Sequence, residues 1–288
     1  MSNNIEVFKH FGIAFLGILL ISSINRIEEL LSGVGYYCVV LWLSWQLTKL
    51  YQTFNTNVER VESDRKAILI TGCDTGFGNL LAQQLDSKGF TVFASCLDPE
   101  SKGAQDLLNT CSKRLKVLKL DVTKDEDVKE AVDFVRNNLQ TNKLWSIVNN
   151  AGILHFLPVE WGREGVDIFK RQMDVNSMGQ VRVTKAFLPL LRKTRNSRIV
   201  NVESLAGRIA MPGISSYAMS KFAVRAFSES LRNEVKQFDI NVVVIEPSKS
   251  KGLQVIPHAI FSAAIAVFPK QSLIVENLKA AIISSEES

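Results

Sequence analysis

Two side chains of this sequence have the types and the spacing that proton transfer requires. Tyr217 and Lys221 stand four residues apart in SYAMSK, so a helix would place the phenol and the ammonium on one face. A free Tyr has a pKa of roughly 10 and a free Lys about 10.4, so neither works well alone near neutral pH. A cation held beside a phenol lowers the pKa of that phenol. The pair therefore predicts a general acid–base for an alcohol or a carbonyl.

A glycine-rich turn far upstream argues against a chance pair on a solvated helix. TGCDTGFG at 71–78 follows an apolar run and precedes a helix-like segment, with Asp74, Thr75 and Phe77 between and beside its glycines. In this context Gly72 permits a tight turn, Gly76 lets backbone approach a pyrophosphate, and Gly78 allows close packing of the helix. The start of that helix offers N–H donors to a phosphate. An ordinary turn is the alternative, but the context favours nucleotide binding.

From about residue 66, strand-like and helix-like segments alternate along the chain. Apolar runs predict six strands, at 67–71, 91–97, 115–122, 144–152, 198–204 and 240–247. Helices are predicted at 76–88, 124–139, 165–193 and 215–238, with a polar helix between the second and third strands. Apolar strands separated by helices indicate a parallel sheet covered on both faces. The sequence therefore predicts an α/β fold with a doubly wound parallel sheet, in a domain over residues 66–288.

These motifs, taken in chain order, resemble those of the short-chain dehydrogenase/reductases over roughly residues 66–247. They are TGCDTGFG, NNAG at 149–152, Asn176 in MDVNSMGQ, Ser204, and Tyr217 with Lys221. The turn, FASCL and VTKAFLPLLRK are most similar to the branch of retinol, hydroxysteroid and D-β-hydroxybutyrate dehydrogenases. The resemblance implies a Rossmann-like fold and hydride transfer between a nicotinamide and an alcohol. It implies a small hydrophobic alcohol or ketone as substrate, and homo-oligomers are common among the resembling proteins.

The resemblance also implies a role for each polar residue of the candidate site. Tyr217 would exchange a proton with the substrate oxygen, and Lys221 would lower the pKa of Tyr217 and hold the nicotinamide ribose. Ser204 would hydrogen-bond and polarise the substrate oxygen. Asn176 would shape its helix so that a water links Lys221 to solvent.

Further residues are assigned to the cofactor by the same resemblance. Asp121 would contact the adenine region, although a helix cap is the alternative, and Thr123 competes for that role. Asn150 would brace the sheet and border the cofactor, with a purely structural turn as the alternative. Cofactor contacts are also implied for Asp74, Thr75 and Phe77 of the glycine-rich turn, and for Ala151, Gly152 and Pro247.

The choice between NAD and NADP depends on the end of the second strand, where an acidic residue would bind the ribose diol. Cys96 stands at that point, followed by Leu97 and Asp98. Lys102 is the nearby cation suited to a 2′-phosphate. We expect NAD, with NADP as the alternative, because Asp98 is within reach of the ribose.

Two departures from the family pattern stand out. Glu203 precedes Ser204, where relatives usually carry a small residue such as Ser, and strand alternation predicts that it points away from Ser204. It then needs a partner if it is buried, or else it faces solvent. After Pro247 the sequence reads PSKSKG in place of P-G and a nearby Thr, and 41 residues follow Pro247.

Within those residues, 252–268 resemble the last family helix and 269–275 the last strand, so the substrate lid that precedes this helix in relatives is expected to be missing. Lids exclude water and complete such sites. The alternative function is therefore a catalytically weak or inactive nucleotide-binding or scaffold protein.

The N-terminal region breaks the pattern of a soluble chain. Residues 11–25 and 33–48 carry no charge, and each run is shorter than the ~20 residues that span a bilayer comfortably. The second run holds aromatic residues suited to a membrane interface: Tyr36, Tyr37, Trp42 and Trp45. We expect a membrane-anchor region and linker over residues 1–65, either a hairpin or one span with an interfacial helix. A helical pair buried on the globular domain is the alternative.

Charge and composition narrow the remaining classes of partner. The net charge is +5 and the basic residues are scattered, which argues against nucleic-acid binding. The four cysteines show no C-x-x-C spacing and the three histidines lie far apart, which argues against a metal site or a disulfide framework. Basic residues follow the second apolar run at Lys49, Arg60, Arg65 and Lys66. They favour a catalytic domain that faces the cytosol, and the expected membrane is the endoplasmic reticulum.

Overall fold

The structure is a computed structural model, and it describes residues 11–20, 34–55, 61–161 and 165–247. The chain divides into two compact units, Met1–Val58 and Glu59–Ser288. In the first unit, residues 11–20 form helix α1 and Val34–Asn55 form helix α2. Among the residues described, neither of these helices nor any other combines the length and the apolar character that a bilayer crossing requires. The membrane anchor predicted for residues 1–65 is not confirmed.

The second unit contains the six predicted strands in one parallel sheet. The strands are β1 (Lys66–Ile70), β2 (Thr91–Cys96), β3 (Leu115–Lys119), β4 (Lys143–Asn149), β5 (Ser197–Val202) and β6 (Ile240–Ile245). Their order across the sheet is β3-β2-β1-β4-β5-β6, and every pairing is parallel. The helices that follow along the chain are α3 (Gly76–Ser87), α4 (Lys102–Thr110), α5 (Asp125–Asn138), α6 (Asp167–Met173), α7 (Gly179–Leu191) and α8 (Ser215–Val235).

Strand alternation divides the apolar core into two layers, one on each side of the sheet. Ile68 of β1 belongs to a cluster that contains Leu81 of α3, whereas Leu69 belongs to a second cluster with Phe187 of α7. Successive residues of a strand point to opposite faces, so each β1 side chain meets a different helix layer. The expectation of a doubly wound sheet covered on both faces is thereby confirmed.

Helix 165–193 of the sequence prediction is interrupted in the structure. Between α6 and α7 the residues Asp174–Met178 form a π-helical turn, which is a wider turn often found at functional sites. Asn176 lies in this turn, and its side chain accepts a hydrogen bond from Ile153 N–H (2.7 Å) and donates one to Ile153 O (2.9 Å). These two bonds join the interrupted helix to the segment after β4.

The third strand also ends earlier than predicted, at Lys119 and not at residue 122. The Asp121 carboxylate accepts hydrogen bonds from both the N–H and the hydroxyl of Thr123, which turns the chain toward α5. At the other end of the unit, the predicted last helix at 252–268 and the last strand at 269–275 lie outside the described residues, and so does the region in which the lid is expected to be missing.

Candidate active site

The carboxyl ends of β1, β4 and β5 bring the sequence motifs to one edge of the sheet. The glycine-rich turn follows β1, NNAG ends β4 and continues past it, and Ser204 comes two residues after the end of β5. β1 and β4 are neighbours in the sheet although they are not consecutive in the chain. This is the switch point of a doubly wound sheet, where a crevice opens outside the strand ends.

The three glycines of the turn have different physical roles. Gly72 (φ +71°) has no room for a side chain, because a Cβ there would lie 2.9 Å from the Cα of Ala151. Gly78 likewise has none, because a Cβ would collide with the carbonyl oxygen of Gly72. Gly76 has positive φ (+63°) and open space around its would-be Cβ. Close packing therefore requires Gly72 and Gly78, while Gly76 leaves the backbone accessible.

The start of α3 presents donors to this open space. Thr75 is the N-cap residue, and its side chain makes no capping hydrogen bond. The first N–H groups of a helix have no partner within the helix, and together they favour an anion. An uncapped helix start beside an open glycine fits the pyrophosphate of a dinucleotide. Phe77 packs partly buried against the core cluster beneath the turn.

NNAG is joined to the glycine turn by hydrogen bonds. The Asn150 side-chain amide donates to Thr71 O (2.9 Å) and to Gly72 O (3.0 Å). In return, the Thr71 hydroxyl accepts from the N–H groups of Asn150 and Ala151, both at 3.0 Å. The bracing role expected for Asn150 thus corresponds to real contacts, and its amide is occupied by backbone carbonyls.

Asp74 links the glycine turn to the end of β2. Its carboxylate accepts hydrogen bonds from the N–H groups of Leu97 and Asp98, both at 3.0 Å. Leu97 and Asp98 are exposed, and Asp98 in turn accepts from Glu100 N–H (3.0 Å). Asp74 therefore positions the segment after β2 in which Asp98 is expected to bind the ribose.

Asp121 organises the turn between β3 and α5. Burial raises the pKa of its carboxyl, but the hydrogen bonds from Thr123 and the charge of Lys124 outweigh burial and leave this pKa below its ordinary value. The Lys124 ammonium lies 3.7 Å from the carboxylate. One carboxylate oxygen is thus used by Thr123, which agrees with a local structural role for Asp121.

Tyr217 and Lys221 lie on α8, as the spacing predicted, with Ser204 opposite them. The Lys221 ammonium is 5.6 Å from the centre of the Tyr217 ring and donates to Val202 O at 2.9 Å. Lys221 is buried, whereas Tyr217 and Ser204 are half-buried. The Ser204 hydroxyl accepts from Ala206 N–H (3.2 Å), and Leu205 N–H donates to Pro247 O (3.3 Å), so Pro247 lies beside this turn.

The pKa shifts in this group follow mainly from desolvation. Burial raises the pKa of Tyr217, and the neighbouring Ser204 hydroxyl lowers it only in part. Burial lowers the pKa of Lys221 to about 8, against the opposing charge of Glu203. The pKa of Tyr217 is therefore raised overall, whereas the charge of Lys221 was expected to lower it. Desolvation of the phenol outweighs the other influences, and the ammonium is engaged by the Val202 carbonyl.

Asn176 and Gly152 complete the ring of residues around Lys221. A Cβ on Gly152 would lie 3.3 Å from Asn176 Oδ1 and 3.8 Å from Lys221 Nζ, so all three residues meet at one point. The Asn176 amide also donates to the Ser220 hydroxyl (3.0 Å). The structure therefore brings together the four residues predicted to be catalytic, along with NNAG.

A buried polar network behind the site was missed by the sequence analysis. The Gln172 side chain accepts from His155 N–H (3.1 Å) and donates to the Ser216 hydroxyl, next to Tyr217. Deeper in the core, Asn149 donates to Asn201 (2.8 Å), and Asn201 donates to Ser228 (2.9 Å). The sequence signal for this network is the presence of polar residues at strand and helix positions that are otherwise apolar, because buried polar groups need hydrogen-bond partners.

The family comparison agrees with this geometry. A family profile described as short chain dehydrogenase matches residues 66–252. The chain belongs to the short-chain dehydrogenase family. A short-chain dehydrogenase of known structure from Streptomyces avermitilis is 28% identical, with a TM-score of 0.60 over 65% of this chain and 67% of that one.

Curated relatives come from the predicted branch. The chain is 42% identical to estradiol 17-beta-dehydrogenase 2 of Mus musculus over 77% of this chain and 58% of the relative. It is 43% identical to retinol dehydrogenase 7 of Mus musculus (73% and 64%). It is 44% identical to the mitochondrial D-beta-hydroxybutyrate dehydrogenase of Bos taurus (68% and 57%). The chain thus spans less than two thirds of the length of these relatives.

Gly76→Ala tests the open glycine of the turn. The methyl group would occupy the space that a pyrophosphate needs, and we expect affinity for NADH, measured by fluorescence titration, to fall at least ~10-fold. The positive φ adds strain of about 1 kcal/mol. Gly165→Ala is the matched control, because Gly165 has a similar φ (+55°) and equally open surroundings. Equal binding by both variants would contradict the assignment of Gly76.

Proposed function

We propose that this protein is a nicotinamide-dependent dehydrogenase/reductase that interconverts a hydrophobic alcohol, such as a retinoid or a steroid, and its carbonyl. The observation that carries the proposal is the meeting of Asn176, Ser204, Tyr217 and Lys221 beside an uncapped helix start. Acid–base groups and a nucleotide-binding turn at one sheet edge are the two parts that this chemistry needs.

The residues have distinct roles in the proposed reaction. When bound, the nicotinamide accepts or supplies the hydride. In oxidation the phenolate form of Tyr217 takes the hydroxyl proton of the alcohol, and in reduction the phenol form gives its proton to the carbonyl oxygen. The Ser204 hydroxyl donates a hydrogen bond to that oxygen and stabilises the charge that develops there. Lys221 would hold the nicotinamide ribose, and the first turn of α3 would hold the pyrophosphate.

The proposed hydrophobic substrate is supported by the surface around Ser204 and Tyr217. Leu154 and Phe156 are exposed on the segment after β4, and Ile209 and Met211 are exposed on the segment after Ser204. The two segments are joined, because Leu157 N–H donates to the carbonyl oxygen of Gly213 (2.7 Å). Apolar side chains exposed beside a polar site are a frequent sign of an apolar ligand.

Tyr217→Phe tests the acid–base assignment. Removing the phenolic oxygen should lower turnover of the active alcohol by roughly 10²–10⁴-fold while NADH binding persists. The assay measures NADH formation with a panel of a steroid alcohol, retinol and D-3-hydroxybutyrate. The control is Tyr37→Phe, which removes the hydroxyl of an exposed tyrosine on α2. A Tyr217→Phe enzyme as active as the wild type would refute the mechanism. Nicotinamide binding without turnover of any substrate would instead support the scaffold alternative.

The proposed cofactor is NAD, supported by the exposed carboxylate of Asp98 at the end of β2. A carboxylate there binds the ribose diol and repels a 2′-phosphate. We expect a higher kcat/KM with NAD than with NADP. Asp98→Asn removes the charge that repels the 2′-phosphate and should narrow that ratio at least ~10-fold, which corresponds to about 1.4 kcal/mol. Asn keeps the acceptor for Glu100 N–H, so the turn is retained. An unchanged ratio would remove Asp98 from cofactor selection.

We further propose that the N-terminal region, residues 1–65, holds the protein at a membrane, with the catalytic unit on the cytosolic side of the endoplasmic reticulum. The support is α2, which exposes Tyr37 (56%), Trp42 (60%) and Trp45 (54%). Apolar and aromatic side chains of this kind partition into the headgroup region of a bilayer. Such a location suits a substrate that dissolves in lipid.

Trp42→Ser combined with Trp45→Ser tests membrane association in the full chain. Losing two exposed indoles that would insert into the bilayer interface should lower the fraction bound to phosphatidylcholine vesicles at least ~10-fold in a sedimentation assay. Trp161→Ser is the control, because Trp161 is equally exposed (67%) but belongs to the second unit. Unchanged binding of the double variant would show that α2 is not the membrane contact.

A further inference from the structure

Glu203 is a buried acid for which the proposed reaction has no use so far. It follows β5 directly, is 2% exposed, and its N–H donates to Ile245 O at 2.7 Å. The sequence left open whether Glu203 is buried or faces solvent, and the structure shows that it is buried. Within the described part of the chain, neither carboxylate oxygen makes a hydrogen bond. The Ser228 hydroxyl beside it donates to the Val224 carbonyl instead (2.7 Å).

Charged groups face Glu203 from two elements. Lys221 and Arg225, which are one turn apart on α8, and Glu246, the residue after β6, all act electrostatically on Glu203. No nitrogen of Lys221 or Arg225 lies within 4.0 Å of a Glu203 carboxylate oxygen. The negative charge of Glu246 is already balanced by two arginines. The Arg208 Nε donates to both of its oxygens (2.7 and 2.6 Å), and Arg225 donates to one of them (3.2 Å).

Lys221 is a buried cation that needs an anionic partner. Of the three cations in this described group, Lys221 alone makes no ion pair with Glu246. Its ammonium is buried and donates to the carbonyl of Val202, the residue that precedes Glu203. A buried ammonium without a counter-charge is costly, and so is a buried carboxylate without a donor.

We propose that Glu203 is the buried counterion of Lys221 and acts as a positioning residue for the Tyr217–Lys221 pair. The role rests on the proposed function, in which Lys221 holds the nicotinamide ribose. Glu203 acts through Lys221 and touches neither substrate nor cofactor. It keeps the ammonium charged at the working pH and fixed against β5.

The titration of the two groups agrees with this pairing. Burial raises the pKa of Glu203 to about 7, and the charges of Arg225 and Lys221 act against that increase while the charge of Glu246 adds to it. Burial lowers the pKa of Lys221 to about 8, and Glu203 opposes that decrease. Between about pH 7 and 8 both groups are mainly charged, and each favours the charged form of the other.

Glu203→Gln removes the charge that raises the pKa of Lys221. A neighbouring opposite charge typically shifts a pKa by one to three units, so we expect the pKa of Lys221 to fall by about 1 unit. The alkaline midpoint of NADH binding, measured by fluorescence titration from pH 6 to 10, should move down by that amount. Glu203→Ser should show the same shift, and Glu203→Asp should restore the wild-type midpoint.

Thermal unfolding gives a second readout that needs no cofactor. The pKa of Glu203 is raised in the folded state, so its contribution to stability is present below its unfolded pKa of about 4.3 and is lost as pH rises through about 7. Between pH 5 and 8 the unfolding temperature of the wild type should therefore fall relative to that of Glu203→Gln. The control is Glu234→Gln, which removes an exposed carboxylate farther along α8.

The combined result separates the two proposals. A shifted binding midpoint together with a flatter unfolding profile supports the counterion. A binding midpoint that Glu203→Gln and Glu203→Ser both leave unchanged overturns it, even if both variants are less stable, because a merely structural residue changes stability without moving Lys221. If the wild type binds no NADH at any pH, the proposed function fails, and a double-mutant cycle of unfolding with Lys221→Gln then tests the counterion separately. An equal effect of Glu203→Gln with and without the Lys221 ammonium overturns it.

Discussion

The burial of one amine between β5 and α8 is the constraint on which the candidate site depends. Lys221 is 3% exposed, so its ammonium exchanges water for the Val202 carbonyl and the charge of Glu203. An ammonium that loses its hydration must regain partners from the protein, or else lose its proton. The position of α8 on the sheet is therefore tied to the chemistry, because moving the helix would leave Lys221 without partners.

The same requirement for partners connects the other parts of the site. The Asn150 amide satisfies the carbonyl groups of the glycine turn, and Asn176 satisfies the backbone of Ile153 from the π-helical turn. Behind them, Asn149 and Asn201 join β4 and β5 in the buried core. Buried polar groups that are paired in this way restrict the arrangement of strands and helices to one geometry.

Much of the fold was predictable from the sequence because its signals are local. Apolar runs of strand length and amphipathic segments with helical periodicity located all six strands and the helices between them. The interruption of the helix at 165–193 was not predicted, since nothing in its periodicity marks a π-helical turn. That turn is stabilised by Asn176 through contacts with Ile153, which is 23 residues away in the chain.

The sequence by itself predicted which residues would carry the chemistry, and it determined that one face of α8 presents Tyr217 and Lys221, because helical spacing is a local property of the chain. Only the tertiary structure decided the ionisation of these groups. Desolvation raises the pKa of Tyr217 and lowers that of Lys221, and it depends on what packs around each side chain. The burial of Glu203 was decided in the same way, because packing around the end of β5 leaves that acid 2% exposed.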